Sequence, residues 1–186
     1  RTQIGGIEES KGFNIMSSVF SNHLTIAGTN FPISIFWWML FGVLGYFLLK
    51  HTQFGNWIFA TGASQESAKL MGIPVQKVKI SLFMLTAFCS WFIAVTQVTT
   101  FGGADVLRGE QKEFIAIIAV VIGGTLLTGG YGSIIGAMIG ALIFGIVKQG
   151  IIFAGVDADW FQVFMGVMLV SAVLVNGAFR KKYAQG

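Results

Sequence analysis

Apolar residues in this chain arrive in long blocks rather than in alternation with polar ones. Five blocks stand out, at residues 32–50, 80–98, 113–128, 133–154 and 160–175. A helix needs about 20 mostly apolar residues to cross the hydrocarbon of a bilayer. Each block therefore predicts a membrane-spanning helix, the third a short one, with a broken or re-entrant helix as its alternative. Pro32 opens the first block, since proline suits a first helical turn, and Lys50, His51, Thr52 and Gln53 close it. Trp37 and Trp38 lie too deep for an interfacial belt and are expected to pack on a neighbouring helix. The second block is unusually polar, with Ser81, Thr86, Ser90, Thr96 and Gln97. Hydroxyls can bond back to their own helix, whereas Gln97 is expected to face protein or water. The pattern predicts an all-α, polytopic membrane protein with about five spans.

Two polar stretches frame the first block. Residues 1–31 are mixed, and Asn14, Ser17, Ser18, Ser21, Asn22 and His23 interrupt their apolar positions. They predict a loop with one short or re-entrant helix. His23 has no second ligand at metal-binding spacing and reads as a hydrogen-bonded surface residue. Residues 51–79 hold a short capped helix. Ser64 is a good N-cap, Glu66 suits the positive end of the helix dipole, Gly72 suits a left-handed cap, and Pro74 forbids continuation. That leaves about two turns, roughly 10 Å. Ala68 and Met71 share one face, while Glu66 and Lys69 face water. So short a helix is unstable alone and is expected to pack on something.

Composition agrees with the blocks. Of 186 residues, 54% are hydrophobic and only 11% charged, against about 25% charged in soluble domains; the mean hydropathy is +0.75. Lipid must cover the surplus. The net charge of +4 reads as lysines and arginines held on one membrane face, not as a nucleic-acid site. With five spans, one side holds Lys50, Lys69, Lys77, Lys79, Arg180, Lys181 and Lys182, with Glu66 as its acid. The other holds Glu8, Glu9, Asp105, Glu110, Glu113, Asp157 and Asp159, with Arg1, Lys11, Arg108 and Lys112. The bias places residues 51–79 and the C-terminus in the cytoplasm. Lys148 must snorkel or line a polar cavity. The lone cysteine, Cys89, can form no internal disulfide and reads as a packed thiol. A polar start without an initiator Met reads as the interior of a longer chain.

The segment Phe54-Gly55, Ala60-Thr-Gly62, Glu66, Ala68, Leu70-Met-Gly-Ile73 and Val75-Gln-Lys-Val-Lys79 resembles the cytoplasmic coupling loop of ABC importer permeases. The branch it resembles is that of the ribose and simple-sugar permeases. Glu113-Phe-Ile-Ala-Ile-Ile-Ala-Val-Val-Ile-Gly-Gly-Thr125, with Gly129-Gly-Tyr-Gly-Ser133 behind it, is similar to the same branch. The likeness covers about residues 31–179, the C-terminal half of such a permease. It implies a periplasmic loop at 1–31, a span at 32–50, a cytoplasmic coupling loop at 51–79, a four-span bundle at 80–179 and a cytoplasmic basic tail at 180–186. It also implies docking of Ser64, Glu66, Ala68, Leu70, Met71 and Gly72 on a separate ABC ATPase subunit. Further implied partners are a periplasmic sugar-binding protein and a second permease copy, in the inner membrane.

Gly132, Gly136 and Gly140 recur every four residues, which lets another backbone approach closely. Helix packing is the first reading; a dimer seam or a moving gate is the alternative. The glycines of 123–130 do not form a phosphate loop, because no Lys-Ser or Lys-Thr follows them. No catalytic constellation, metal cluster or cofactor motif is present, so the chain reads as a transport subunit and not an enzyme. Candidate pathway residues are Thr96, Gln97, Thr125 and Thr128, with Phe92 as an apolar gate. An ion-gradient carrier or channel with a helix broken at 123–132 is the competing reading, although no carboxylate lies deeper in a block than Glu113 at the edge of the third.

Overall fold

The computed structural model describes residues 11–26, 29–103, 105, 109–155, 160, 162–171, 173 and 174. Helices dominate it: α1 (Lys11–Phe20), α2 (Ile33–His51), α3 (Gln53–Ala63), α4 (Gln65–Leu70), α5 (Val75–Phe101), α6 (Lys112–Ile122), α7 (Ile134–Phe153) and α8 (Gln162–Ser171). Strands β1 (His23–Ile26) and β2 (Thr29–Pro32) form an antiparallel hairpin with His23 opposite Pro32 and Ile26 opposite Thr29. The backbone N–H of Ile33 donates to the carbonyl of Asn22 at 3.0 Å, so α2 begins where the ladder closes. The hairpin was not foreseen in residues 1–31, where the expected short helix appears as α1. Leu24, Ile26 and Phe31 alternate with polar neighbours over too few positions to announce strands.

Among the described residues, three helices are long and apolar enough to cross a membrane: α2, α5 and α7, of 19, 27 and 20 residues. They bury little of themselves: Phe83 on α5 is 77% exposed and Phe153 at the end of α7 is 88% exposed. Apolar faces of that extent need lipid or partner helices against them. The chain is a multi-pass membrane protein.

The block at 113–128 is not one helix. α6 stops at Ile122, and at about 1.5 Å per residue its 11 residues cover roughly 16 Å. The stop is local: Gly124 has φ +84°, its N–H donates to Val121 O at 2.9 Å, and that of Thr125 donates to Val120 O at 3.1 Å. This is the Schellman closure, which needs a left-handed residue. The fifth block is represented by α8; residues 156–159, 161, 172 and 175–186, with the basic tail, lie outside the described residues.

Contacts divide the chain into two units, one of residues 1–44 and 76–109, the other of 45–75 and 110–186. The first is built on rings. Phe92 of α5 meets Phe20, Trp37 and Phe41 with centroids 5.1, 5.2 and 4.8 Å away. The Trp37 indole N–H donates to Val19 O at 3.1 Å. Trp37 thus packs between helices, as its depth in the block required.

The second unit has its core at Ile118, Phe144 and Met165, flanked by Ile115, Ile122, Met168 and Leu169. α6 and α7 run antiparallel there, because Gly123 faces Gly136 and Ala119 faces Gly140. A methyl group built on Gly140 would meet the amide nitrogen of Gly123 at 2.8 Å, and one on Gly136 would strike the Gly123 carbonyl oxygen. Gly132 lies outside α7, which Ser133 caps by accepting from Gly136 N at 3.3 Å. The small-residue stripe is therefore a seam within this chain.

Branched side chains at this seam should force α6 from α7. Gly136→Leu or Gly140→Leu should cost about 1–3 kcal/mol by overpacking, read as a lower melting temperature in detergent. Membrane insertion should persist because hydropathy rises. Gly145→Leu, whose position on α7 has nothing within 4 Å, should melt as the parent does; equal melting of all three variants would contradict the seam.

Candidate functional site

The segment from His51 to Pro74 is built without slack. Thr52 joins α2 to α3: its hydroxyl donates to Leu48 O at 2.6 Å and accepts from Gly55 N at 3.2 Å. α3 was not foreseen; residues 51–63 read as loop because their apolar positions show no clear stripe. Ser64 then serves two helices. Its backbone is extended (φ −156°, ψ 116°), its N–H donates to Ala60 O at 3.1 Å and closes α3, and its hydroxyl accepts from Ser67 N at 3.2 Å and opens α4. Glu66 sits in the first turn of α4 and Lys69 in the last. At the far end Gly72 takes φ +78°, donating to Lys69 O at 2.9 Å, while Ile73 N donates to Ala68 O at 3.0 Å. α5 starts at Val75, directly after Pro74 and five residues before the expected span, so Lys77 and Lys79 ride on its first turns.

Burial within α4 differs from the expected face. Ala68 is 0% exposed inside this chain, whereas Leu70 is 90% and Met71 67% exposed. Ala68 and Met71 do not share an environment. Leu70 and Met71 are left uncovered with Glu66 and Lys69 beside them, and Ala68 is the foot on which the helix stands. Two large apolar side chains side by side in water are costly unless something covers them.

The residues expected to line a pathway belong to different units. Phe92, Thr96 and Gln97 share a cavity of about 380 Å³ in the first unit, with Ser34, Trp37, Trp38, Phe41, Cys89 and Ile93. Its walls are nearly all apolar. The Thr96 hydroxyl donates to Phe92 O at 2.9 Å, and those of Thr86, Ser90 and Thr100 bond back in the same way at 2.9, 2.9 and 2.7 Å. Phe92 is held by three rings, a poor arrangement for a swinging gate. Thr125 belongs to the second unit and lines another cavity, of about 300 Å³, with Leu49, Phe59, Gly62, Tyr131 and Ile134. Thr128 is exposed and lines neither. The aromatic lining by Trp37, Trp38 and Phe41 was missed as a site, although their spacing on one helix was a usable signal.

The stretch at 123–132 is a turn between helices that fold back on each other. A helix, α6, and not a strand leads into it, and the Leu126 N–H donates to Tyr131 O at 3.1 Å to close it. It is thus neither a phosphate loop nor two collinear halves of a broken span. Among the described residues, no three of His, Cys, Asp or Glu lie together as metal ligands.

Residues 1–173 match the family described as branched-chain amino acid transport system / permease component. Curated relatives include the ribose import permease protein RbsC of Escherichia coli K12, 36% identical over 131 residues, 70% of this chain and 41% of the relative. The fructose import permease protein FruG of Bifidobacterium longum is 34% identical over 136 residues, 73% of this chain and 40% of the relative. The xylose transport system permease protein XylH of Haemophilus influenzae is 33% identical over 155 residues, 83% of this chain and 41% of the relative. The chain thus spans about two fifths of the length of these relatives. No solved structure matches it. With nearly the whole chain matched, the protein belongs to the branched-chain amino acid transport system / permease component family, on its sugar-permease branch.

Proposed function

We propose that this chain is part of the membrane-spanning permease of an ATP-driven importer for a monosaccharide such as ribose, fructose or xylose. The observation that carries the reading is α4, a helix capped at both ends that stands on buried Ala68 and presents Leu70 and Met71 outward. A six-residue helix is too short to persist for its own sake; closed at both ends, it suits a rigid contact for a separate ATPase subunit. An ion-driven carrier has no use for such a contact. A second permease copy and a periplasmic sugar-binding protein complete the transporter in this reading.

Its orientation follows from charge. Lys50, Lys69, Lys77 and Lys79 surround the docking segment with Glu66 as the acid among them, whereas Asp105, Glu110 and Glu113 lie beyond α5. The Lys/Arg bias puts the docking segment in the cytoplasm of an inner-membrane protein. The α6–α7 turn supports this, because its glycines meet Gly62 and Ala63 beside that segment. Membrane-impermeant thiol reagents should label Asp105→Cys from outside intact spheroplasts. Ser64→Cys should react only after the membrane is opened, and outside labelling there would reverse the orientation.

Docking is tested by removing the apolar contact without touching the foot. Leu70→Asp and Met71→Asp should each weaken co-purification with the ATPase by about 5- to 30-fold, the equivalent of 1–2 kcal/mol, and abolish sugar-stimulated hydrolysis and uptake in reconstituted vesicles. Gly72→Val, strained by about 1 kcal/mol or more in a left-handed position, should do the same by loosening the stop. Ala68→Arg should instead damage the chain's own fold, since it would bury a guanidinium. Full uptake with both aspartates in place would refute the docking reading.

A further inference from the structure

We propose that Gly62, Gly129 and Gly130 are positioning residues of transport coupling: they form the contact through which displacement of α4 reaches the α6–α7 pair. The inference rests on the docking reading and adds the route by which a docked partner would move the membrane helices. All the residues involved lie in one compact unit.

The contact is backbone against backbone. A methyl group built on Gly62, in the last turn of α3, would meet the amide nitrogen of Gly130 at 2.8 Å. One built on Gly129 would meet the carbonyl carbon of Gly62 at 3.0 Å, and one on Gly130 would meet Cα and Cβ of Ala63 at 3.0 Å. The Ala63 methyl, which has no rotamers, is the side-chain group that meets Gly130; the rest of the contact is backbone. That matters for transmission, because a flexible side chain absorbs a small displacement by changing rotamer, whereas two touching backbones must move together.

Both ends of the contact are held short. On the α3 side, Ser64 closes α3 and caps α4, so one residue separates the touching turn from the docking helix. On the other side, the turn is tied by Leu126 N to Tyr131 O at 3.1 Å and Gly129 N to Leu126 O at 3.0 Å. It then passes directly into Ser133, the cap of α7. α7 is in turn seated on α6 through Gly136 and Gly140. From α4 to α6 every link is a cap, a tied turn or a bare backbone contact.

The same turn of α3 also has a reason to exist in a second arrangement. The Thr61 hydroxyl is buried there without a hydrogen-bond partner among the described residues. A buried unpaired hydroxyl is unfavourable, so a shift of this turn that supplied a partner would be a gain. Coupling requires an element of that kind, with two arrangements that both ends can bias.

The test uses the transporter reconstituted with its ATPase and binding protein. Co-purification of the ATPase with the unaltered chain reports on docking alone, and its failure would overturn the docking reading. With docking intact, Gly62→Ala should leave the ATPase bound and its basal hydrolysis unchanged. Stimulation by sugar-loaded binding protein should fall about fivefold or more, and uptake with it. Thr61→Val should raise or preserve the melting temperature while also lowering stimulation, because the second arrangement loses its gain. Gly145→Ala, in open space on α7, should behave as the parent. Parental stimulation in Gly62→Ala overturns the proposal. So does a Thr61→Val protein that is more stable yet fully stimulated, since a purely structural contact predicts that combination.

Discussion

The contact of bare backbone on bare backbone between α6 and α7 is the constraint on which the second unit depends. In hydrocarbon, burial of apolar side chains drives little association, because lipid tails are as apolar as leucine. Close packing has to supply the attraction, and it grows as the axes approach. Gly123, Gly136 and Gly140 remove the side chains that would hold the axes apart. With α6 and α7 locked, Ile118 and Phe144 meet and α8 can lay Met165 against them. The first unit solves the same problem with rings. Phe20, Trp37, Phe41 and Phe92 interlock at centroid distances of 4.8–6.4 Å, and the Trp37 N–H finds a carbonyl.

Polar groups are handled with equal economy. Thr52 ends one helix and begins the next with a single hydroxyl, and Ser64 does the same with its backbone N–H and its hydroxyl. Along α5 the hydroxyls of Thr86, Ser90, Thr96, Thr99 and Thr100 donate to carbonyls three or four residues earlier. Back-bonding of this kind lets a helix carry polar side chains through lipid at small cost. Polarity in the sequence of α5 is thus weak evidence for a solute pathway, whereas the aromatic cavity beside it has shape as well as chemistry.

Relatives of this chain are named as permeases for ribose, fructose and xylose, which differ in ring size and hydroxyl arrangement. A nearly apolar cavity beside α5 offers few groups to distinguish them. The stiffness of residues 51–74 fits the docking role proposed for them, since a docking element is useful in proportion to how little it yields.

Sequence alone determined what depends on neighbours along the chain. Long apolar blocks fixed the membrane and the helices, because hydropathy and periodicity are local. Ser64, Gly72 and Pro74 fixed the start and stop of α4, because caps act within four residues. Tertiary structure decided what depends on distance. It cut the third block at Ile122 and folded α6 back on α7, since glycines act as a seam only when a partner backbone is opposite. It buried Ala68 and exposed Met71, although both are apolar and three residues apart, because which side of a two-turn helix is covered depends on what it packs against. It gave Thr96 and Gln97 to one compact unit and Thr125 to the other, although similar polarity had grouped them together. And it added the hairpin of β1 and β2, whose four-residue strands are too short to be legible without their partner.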